Sequence, residues 1–253
     1  MCQTMSIAQY PTLRGRTVLV TRGGSGIGAE IVRAFCGQNA HVAFLDIQKQ
    51  AGDALSDETG AVFEAVDITD TLALQASIER VAAKLGPVQV LVNNAANDQR
   101  QDISDISSDD WDISQNVNLR AQFFAAQAVR PGMAAAGGGA IINISSIVWR
   151  LAGGDMVPYA TAKAGVLGLT KSLAHALGPE NIRVNAIEPG AIFTERQREL
   201  WYPTEADVNA LVSQQLLKQA MDGGEIARMA LFLASDDARR ITKQSFIVDA
   251  GML

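Results

Sequence analysis

Tyr159 and Lys163 stand four residues apart in the stretch "YATAK", so both project from one face of any helix that contains them. A phenol beside an ammonium is an arrangement that favours phenolate, because the cation lowers the tyrosine's ordinary pKa of about 10. Such a tyrosine can take or give a proton during a reaction. On its own, Y-x-x-x-K also describes a surface pair on an ordinary helix, so its surroundings decide. Ser146, with Ser145 as its competitor, lies 13 residues before Tyr159 and just past the apolar run "AIINI" (140–144), and Asn118 sits in "NVNLR".

The elements that must position these groups follow from periodicity. Short β-rich runs, "TVLV" (17–20), "HVAFL" (41–45), "VFEAV" (62–66), "VQVLV" (88–92), "AIINI" (140–144), "IRVNAI" (182–187) and "SFIV" (245–248), alternate with segments of helical spacing such as 27–35 and 72–85. Strands filled with Val, Ile and Leu suit a sheet covered on both faces. The alternation predicts an α/β fold, a single-domain Rossmann-type doubly wound parallel sheet with helices on both faces. Two longer helices are expected, about 108–136 and about 156–177. One domain spans 1–253, with 1–12 flexible and 193–222 forming a substrate-loop region.

Composition narrows the classes. Of 253 residues, 48% are hydrophobic and 19% charged, enough apolar side chain for an extensive core. Lys plus Arg number 21 against 27 acidic residues, a net charge of −6 with no basic run, which argues against a nucleic-acid partner. Cys2 and Cys36 are isolated from each other and from any Cys/His cluster, so neither a disulfide nor a metal is expected. The N-terminal "MCQTMSIAQYPTLRGR" lacks the apolar stretch of a secretory signal, and no run is long enough for a membrane span. A cytoplasmic protein is the expectation.

Directly after the first strand comes "VTRGGSGIG". Gly24, Gly26 and Ala29 satisfy the G-x-G-x-x-G/A spacing between strand and helix, where unpaired backbone N–H groups and the helix dipole favour a phosphate. Asp46 ends the second strand 20 positions beyond Gly26, placed to bond a ribose diol.

The pattern T-G-x-x-x-G-x-G, met here as Thr21, Gly26 and Gly28 with Arg22 in place of the first glycine, resembles the short-chain dehydrogenase/reductase superfamily. Asn118, Ser146, Tyr159 and Lys163 match that superfamily's catalytic tetrad. The resemblance implies Tyr159 as acid/base, Ser146 holding the reacting oxygen, Lys163 also gripping the nicotinamide ribose, and Asn118 anchoring a proton-relay water. It implies cofactor contacts at Arg22, Gly24, Ser25, Gly26, Ile27, Asp46, Asp67, Ile68, Asn94, Ala95, Tyr159, Lys163, Pro189, Gly190, Ile192 and Thr194. Besides Arg22, the chain departs from the superfamily with Ala96 in "NNAA" and with Lys243 and Ala250 where glycine is common. If the glycine replaced by Arg22 has φ > 0, arginine there carries a steric penalty of roughly 1 kcal/mol. Arg22 could pair with the 2′-phosphate of NADP, whereas Asp46 would repel that phosphate, so NAD is favoured with NADP as the alternative.

The stretches "YPTLRGR", "NNAAND", "NVNLR", "SSIVW", "TAKAG" and "RQRELWYPTE" resemble bacterial aldose 1-dehydrogenases of the superfamily, which oxidise the anomeric carbon of xylose, arabinose or galactose to a lactone. Asn97, Trp149 and Trp201 are the corresponding candidates for sugar contact. Trp149 and Trp201 would equally serve as lid or subunit packing. The rivals are an alcohol or 3-oxoacyl reductase of the same superfamily and a catalytically impaired nucleotide-binding paralogue. The superfamily also implies a homotetramer built through the two long helices.

Overall fold

The computed structural model describes residues 7–253. Cys2 and the first half of the stretch expected to be flexible lie outside the described residues. Residues 7–12 pack down instead, with Ile7 and Tyr10 against the core and the Tyr10 N–H donating to Gln38 Oε1 at 2.8 Å.

The seven strands are β1 (Thr17–Thr21), β2 (His41–Asp46), β3 (Val62–Ala65), β4 (Val90–Asn93), β5 (Gly139–Ile144), β6 (Ile182–Pro189) and β7 (Ser245–Val248). The helices are α1 (Gly26–Cys36), α2 (Lys49–Thr59), α3 (Thr71–Leu85), α4 (Ser108–Gln115), α5 (Ala121–Ala135), α6 (Val148–Leu151), α7 (Val157–Leu177), α8 (Glu195–Leu200), α9 (Glu205–Val212) and α10 (Gly223–Ala234). All strand pairs are parallel, in the order β3-β2-β1-β4-β5-β6-β7. The chain winds outward from β1 to β3, then returns to place β4 beside β1. In open α/β sheets, ligands bind in the crevice beyond the strand ends at such a reversal.

Alternation along each strand divides the core in two. Val18, Val20, Val42, Phe44, Val90 and Val92 face one cluster with Ile31, Phe35, Ile226 and Leu231 of α1 and α10. Leu19, Ala43, Leu45 and Leu91 face the other, with Leu74 and Val81 of α3, Val129 of α5 and Leu177 of α7. Both faces are therefore dry, and a period-two pattern of apolar residues on both sides reads as a continuous apolar run.

The expected helix over 108–136 is interrupted. Between α4 and α5, residues Asn116–Arg120 form a widened π turn in which the Ala121 N–H bonds the Asn116 carbonyl five residues back. The side chain of Asn118 occupies this turn: its Nδ2 donates to Ser114 O at 2.9 Å and to Asn97 O at 3.0 Å, while its Oδ1 accepts from Asn97 N at 2.9 Å. A π turn within an α-helix often accompanies a functional site, and this one ties the long helix to the loop leaving β4.

After β6 the chain departs at Ile192 and returns at Met221. These residues form a parallel bridge, closed by Phe193 N–H to Met221 O at 3.0 Å. Helices α8 and α9 lie in this excursion, which coincides with the 193–222 stretch singled out from the sequence.

Candidate active site

The crevice beyond β1 and β4 opens into a groove of about 770 Å³, lined along its length by Gly26, Asn94, Tyr159, Lys163, Gly190 and Thr194 among others. At one end lies the glycine turn. Gly26 has φ +54°, and a Cβ on it would stand 3.1 Å from Thr194 Cγ2. At Gly28 a Cβ would come within 2.1 Å of the Arg22 carbonyl, so α1 approaches the turn as only glycine permits. Ser25 precedes α1 without capping it by its side chain, which leaves the first helical N–H groups to an anion. Asp46 is 3% exposed and accepts from Gly24 N at 2.9 Å and Gln48 N at 3.0 Å, with lone pairs remaining for a diol. A cradle that added Cβ atoms would fill, beside a buried carboxylate at the end of β2, fits a dinucleotide.

Of the other expected cofactor positions, Ala95, Asp67 and Ile68 do not line the groove, whereas Asn94 does. Ala95 N–H and Asn94 N–H both donate to Thr21 Oγ1, at 3.1 and 3.0 Å, while the Asn94 side chain reaches Arg22 O at 3.0 Å. Asp67 is exposed and its Oδ1 accepts from Thr69 N at 2.9 Å. Ile68 packs against the second core cluster. Ser25, Ile27, Pro189 and Ile192 line the groove directly.

Arg22 is the departure that matters most. It has φ +52°, and Lys243 and Ala250, at the other two positions where the superfamily commonly has glycine, have φ +67° and +56°. The backbone has kept the glycine conformation while the residue changed, at a cost of roughly 1 kcal/mol each. The Arg22 side chain spans from the turn after β1 to the loop after β4, where its Nη1 donates to Ala96 O at 2.6 Å. Burial and then the nearby charge of Arg196 hold its guanidinium below the usual arginine range. The guanidinium is thus engaged across the crevice with the β4 loop.

Farther along the groove, α7 presents Tyr159 and Lys163. Lys163 is fully buried, its Nζ donating to Ile144 O at 2.8 Å and standing 5.5 Å from the centre of the Tyr159 ring. Ser146 stands beside the Tyr159 phenol and draws its pKa down, and its Oγ accepts from Val148 N at 3.2 Å. Ser145 turns the other way and donates to Lys163 O at 2.7 Å, so of the two serines only Ser146 faces the phenol. Asn118 sits behind these groups, outside the groove lining, fixing the backbone of Asn97.

The expected lowering of the Tyr159 pKa is not what the protein alone produces. Burial, and after it the negative charge of Asp98, push the phenol above its ordinary value, against the pull of Ser146, Arg22 and Arg196. Lys163 is pushed down to about 7, by burial first and then by Arg22. The reason is that the spacing of two side chains on a helix says nothing about how far each is withdrawn from water.

Of the expected sugar contacts, Asn97, Trp149 and Trp201 all lie outside the groove lining. Asn97 contributes its backbone to Asn118. The Trp149 indole N–H donates to Glu188 Oε2 at 2.8 Å, and Arg150 grips the same carboxylate through two bonds of 2.9 Å. Trp201 lies against Arg100, whose guanidinium carbon is 4.5 Å from the ring centre. Both tryptophans thus brace the rim. Glu188 is 0% exposed, and Glu188→Ala is expected to cost about 2 kcal/mol by leaving the Trp149 and Arg150 donors unpartnered. Urea unfolding checks it: an unchanged midpoint would show that the bracket contributes nothing.

The side chains that do line the far end are Asp98, Arg100, Arg196, Gln197, Glu199 and Tyr202. The stretches "NDQR" and "TERQRELWYP" contain all six, but which of them meet depends on two loops about a hundred residues apart. Among the described residues, no group of three His, Cys, Asp or Glu side chains stands together as a metal site, and no helix is long and apolar enough to cross a membrane.

Comparison with known proteins agrees with this geometry. A family model described as enoyl-(acyl carrier protein) reductase matches residues 23–253. The chain is 48% identical to the "Probable galactose dehydrogenase GalD" of Rhizobium meliloti (strain 1021), over 98% of this chain and 99% of that one. It is 45% identical to the D-xylose 1-dehydrogenase of Caulobacter vibrioides, again over 98% and 99%. A solved structure from Sinorhizobium meliloti 1021, named as a short-chain alcohol dehydrogenase, superposes with a TM-score of 0.88 at 34% identity, covering 95% of this chain and 97% of that one. With its parallel sheet, its glycine turn and its Ser146, Tyr159 and Lys163 on one groove, the chain belongs to the short-chain dehydrogenase/reductase family and is an NAD(P)-dependent oxidoreductase.

Proposed function

We propose that the protein oxidises the anomeric carbon of an aldose to a lactone with NAD as the hydride acceptor. The observation that carries this is the far end of the groove, where carboxylate, guanidinium and amide groups from Asp98, Arg196 and Gln197 face the Tyr159 side of the site. Leu151, Met156, Leu200 and Leu211 line the same groove, and polar groups set against apolar side chains suit a sugar ring, with its hydroxyl edge and C–H faces. The relatives named for galactose and D-xylose support the same substrate class.

The turn at Gly24, Gly26 and the start of α1 would hold the pyrophosphate, Asp46 the adenosine ribose, and Pro189 to Thr194 the nicotinamide end. NAD, when bound, supplies the carbon that receives the hydride. Tyr159 Oη takes the proton of the anomeric hydroxyl, and Ser146 Oγ donates to the oxygen as charge develops on it. Lys163, anchored on Ile144 O, stands beside the phenol, with burial bringing its pKa down to about 7. Asn118 serves by fixing the β4 loop, with its amide fully engaged. Asp46 supports NAD over NADP, because a buried carboxylate at the end of β2 repels a 2′-phosphate.

Incubation with NAD and a panel of aldoses, following the absorbance of reduced nicotinamide, is expected to give turnover on pentoses or hexoses, with NADP poorer. Turnover confined to ketones and a reduced cofactor would reject the sugar assignment in favour of a carbonyl reductase. A homotetramer through α4, α5 and α7 is part of the proposal, supported by Trp111, Ile113 and Phe123, which are 39%, 52% and 39% exposed on that surface. Sedimentation of a monomer would contradict it.

A further inference from the structure

Two loops 98 positions apart meet over the far end of the groove. Asp98, on the loop leaving β4, is 9% exposed; one carboxylate oxygen accepts from Arg196 Nη1 and the other from Gln197 Nε2, both at the start of α8. That start is itself pinned, since Thr194 Oγ1 accepts from Gln197 N at 3.3 Å and the Thr194 methyl packs on the glycine turn. Arg100 closes the same rim, lying on Trp201 and donating to Tyr202 Oη at 3.3 Å, while Tyr202 meets Phe193 edge-on at 5.5 Å.

A carboxylate has about four lone-pair sites, and the two donors from α8 use two of them. The remainder belong to a side chain that lines the cavity and whose charge is felt at both Tyr159 and Lys163. An ionised acceptor held in fixed orientation at the reaction end of a groove is well suited to reading hydroxyl groups. A site built to bond a hydroxyl discriminates strongly against the analogue lacking it, because its own polar group is then left unpartnered.

We propose that Asp98 is the specificity-determining residue of this site, accepting from a ring hydroxyl of the sugar near the reacting carbon while Arg196 and Gln197 hold it in place. This rests on the aldose assignment above. Arg196 and Gln197 are positioning residues, tying the start of α8 to the β4 loop that carries Asp98.

The test compares kcat/KM of the wild type and Asp98→Asn on one aldose and its 2-, 3- and 4-deoxy analogues, with NAD binding followed by fluorescence titration. Asp98→Asn is expected to leave NAD binding unchanged and to lose about 30-fold on the parent sugar, mainly through KM. On one deoxy analogue, already poor for the wild type, it should lose little more. The same fractional loss on every sugar, or no loss, would overturn the proposal and leave Asp98 as a latch between loops. If Asp98→Asn fails to bind NAD, Arg196→Gln is put through the same series, with a smaller loss expected at the same hydroxyl and a uniform loss again contradicting it. A wild type that oxidises no aldose would instead remove the sugar assignment on which the inference rests.

Discussion

Tyr159→Phe is expected to lower turnover by about a thousandfold while leaving the dissociation constant for NAD within about twofold. Proton transfer by a positioned side chain contributes roughly 10² to 10⁴ in rate, and phenylalanine removes only the atom that performs it. The ring remains over Lys163, whose Nζ stays anchored on Ile144 O, and the glycine turn at the other end of the groove is untouched. Steady-state turnover and a fluorescence titration check the two halves separately. Turnover within tenfold of wild type would mean that the proton travels by another route.

The same assignment fixes a sign in the pH profile. Oxidation requires phenolate, so kcat/KM should rise with pH as Tyr159 ionises. Burial and Asp98 push that rise to higher pH, whereas Ser146, Arg22 and Arg196 pull it down. Any substitution that removes a nearby positive charge therefore moves the limb up.

Arg22→Gly should have the second large effect, and it runs against the usual outcome of losing a cation near a phosphate. The guanidinium crosses the crevice between β1 and β4, bonded to Ala96 O, in the path a dinucleotide takes over the strand ends. We expect binding to break that bond, and a hydrogen bond from a charged group contributes roughly 1.5 kcal/mol or more. Without it, NAD is expected to bind about tenfold more tightly. Glycine also accepts φ +52° without steric penalty, which offsets up to about 1 kcal/mol of the stability lost with the Ala96 bond. With the charge gone, the pH limb should move upward. Calorimetric titration with NAD decides the matter: weaker binding in Arg22→Gly would show that the guanidinium turns to grip the cofactor's phosphates.

What could be read in the sequence was what is local in the chain. Strands whose alternate residues serve two cores appear as apolar runs, and the glycine turn and Tyr159 with Lys163 each lie within a few residues. Arg22, Lys243 and Ala250 could be flagged because left-handed backbone is local too, and all three have positive φ. The direction of the Arg22 side chain was hidden, since it depends on β4 lying beside β1. Burial hid the ionisation of Tyr159, which spacing along α7 alone would place on the wrong side of its ordinary value. The pairing of Trp149 with Glu188, 39 positions away, was likewise hidden in the sequence. The meeting of Asp98 with Arg196 depends on α8 lying against the β4 loop, 98 positions away in the chain.

The central claim is that hydride passes from the anomeric carbon of a sugar to nicotinamide within this groove. An aldose carrying deuterium at its first carbon, turned over with NAD, tests it by the mass of the reduced cofactor recovered. Reduced nicotinamide heavier by one deuteron, alongside an unlabelled lactone, is the predicted result. Reduced cofactor without the label, or label retained in the sugar product, would contradict it.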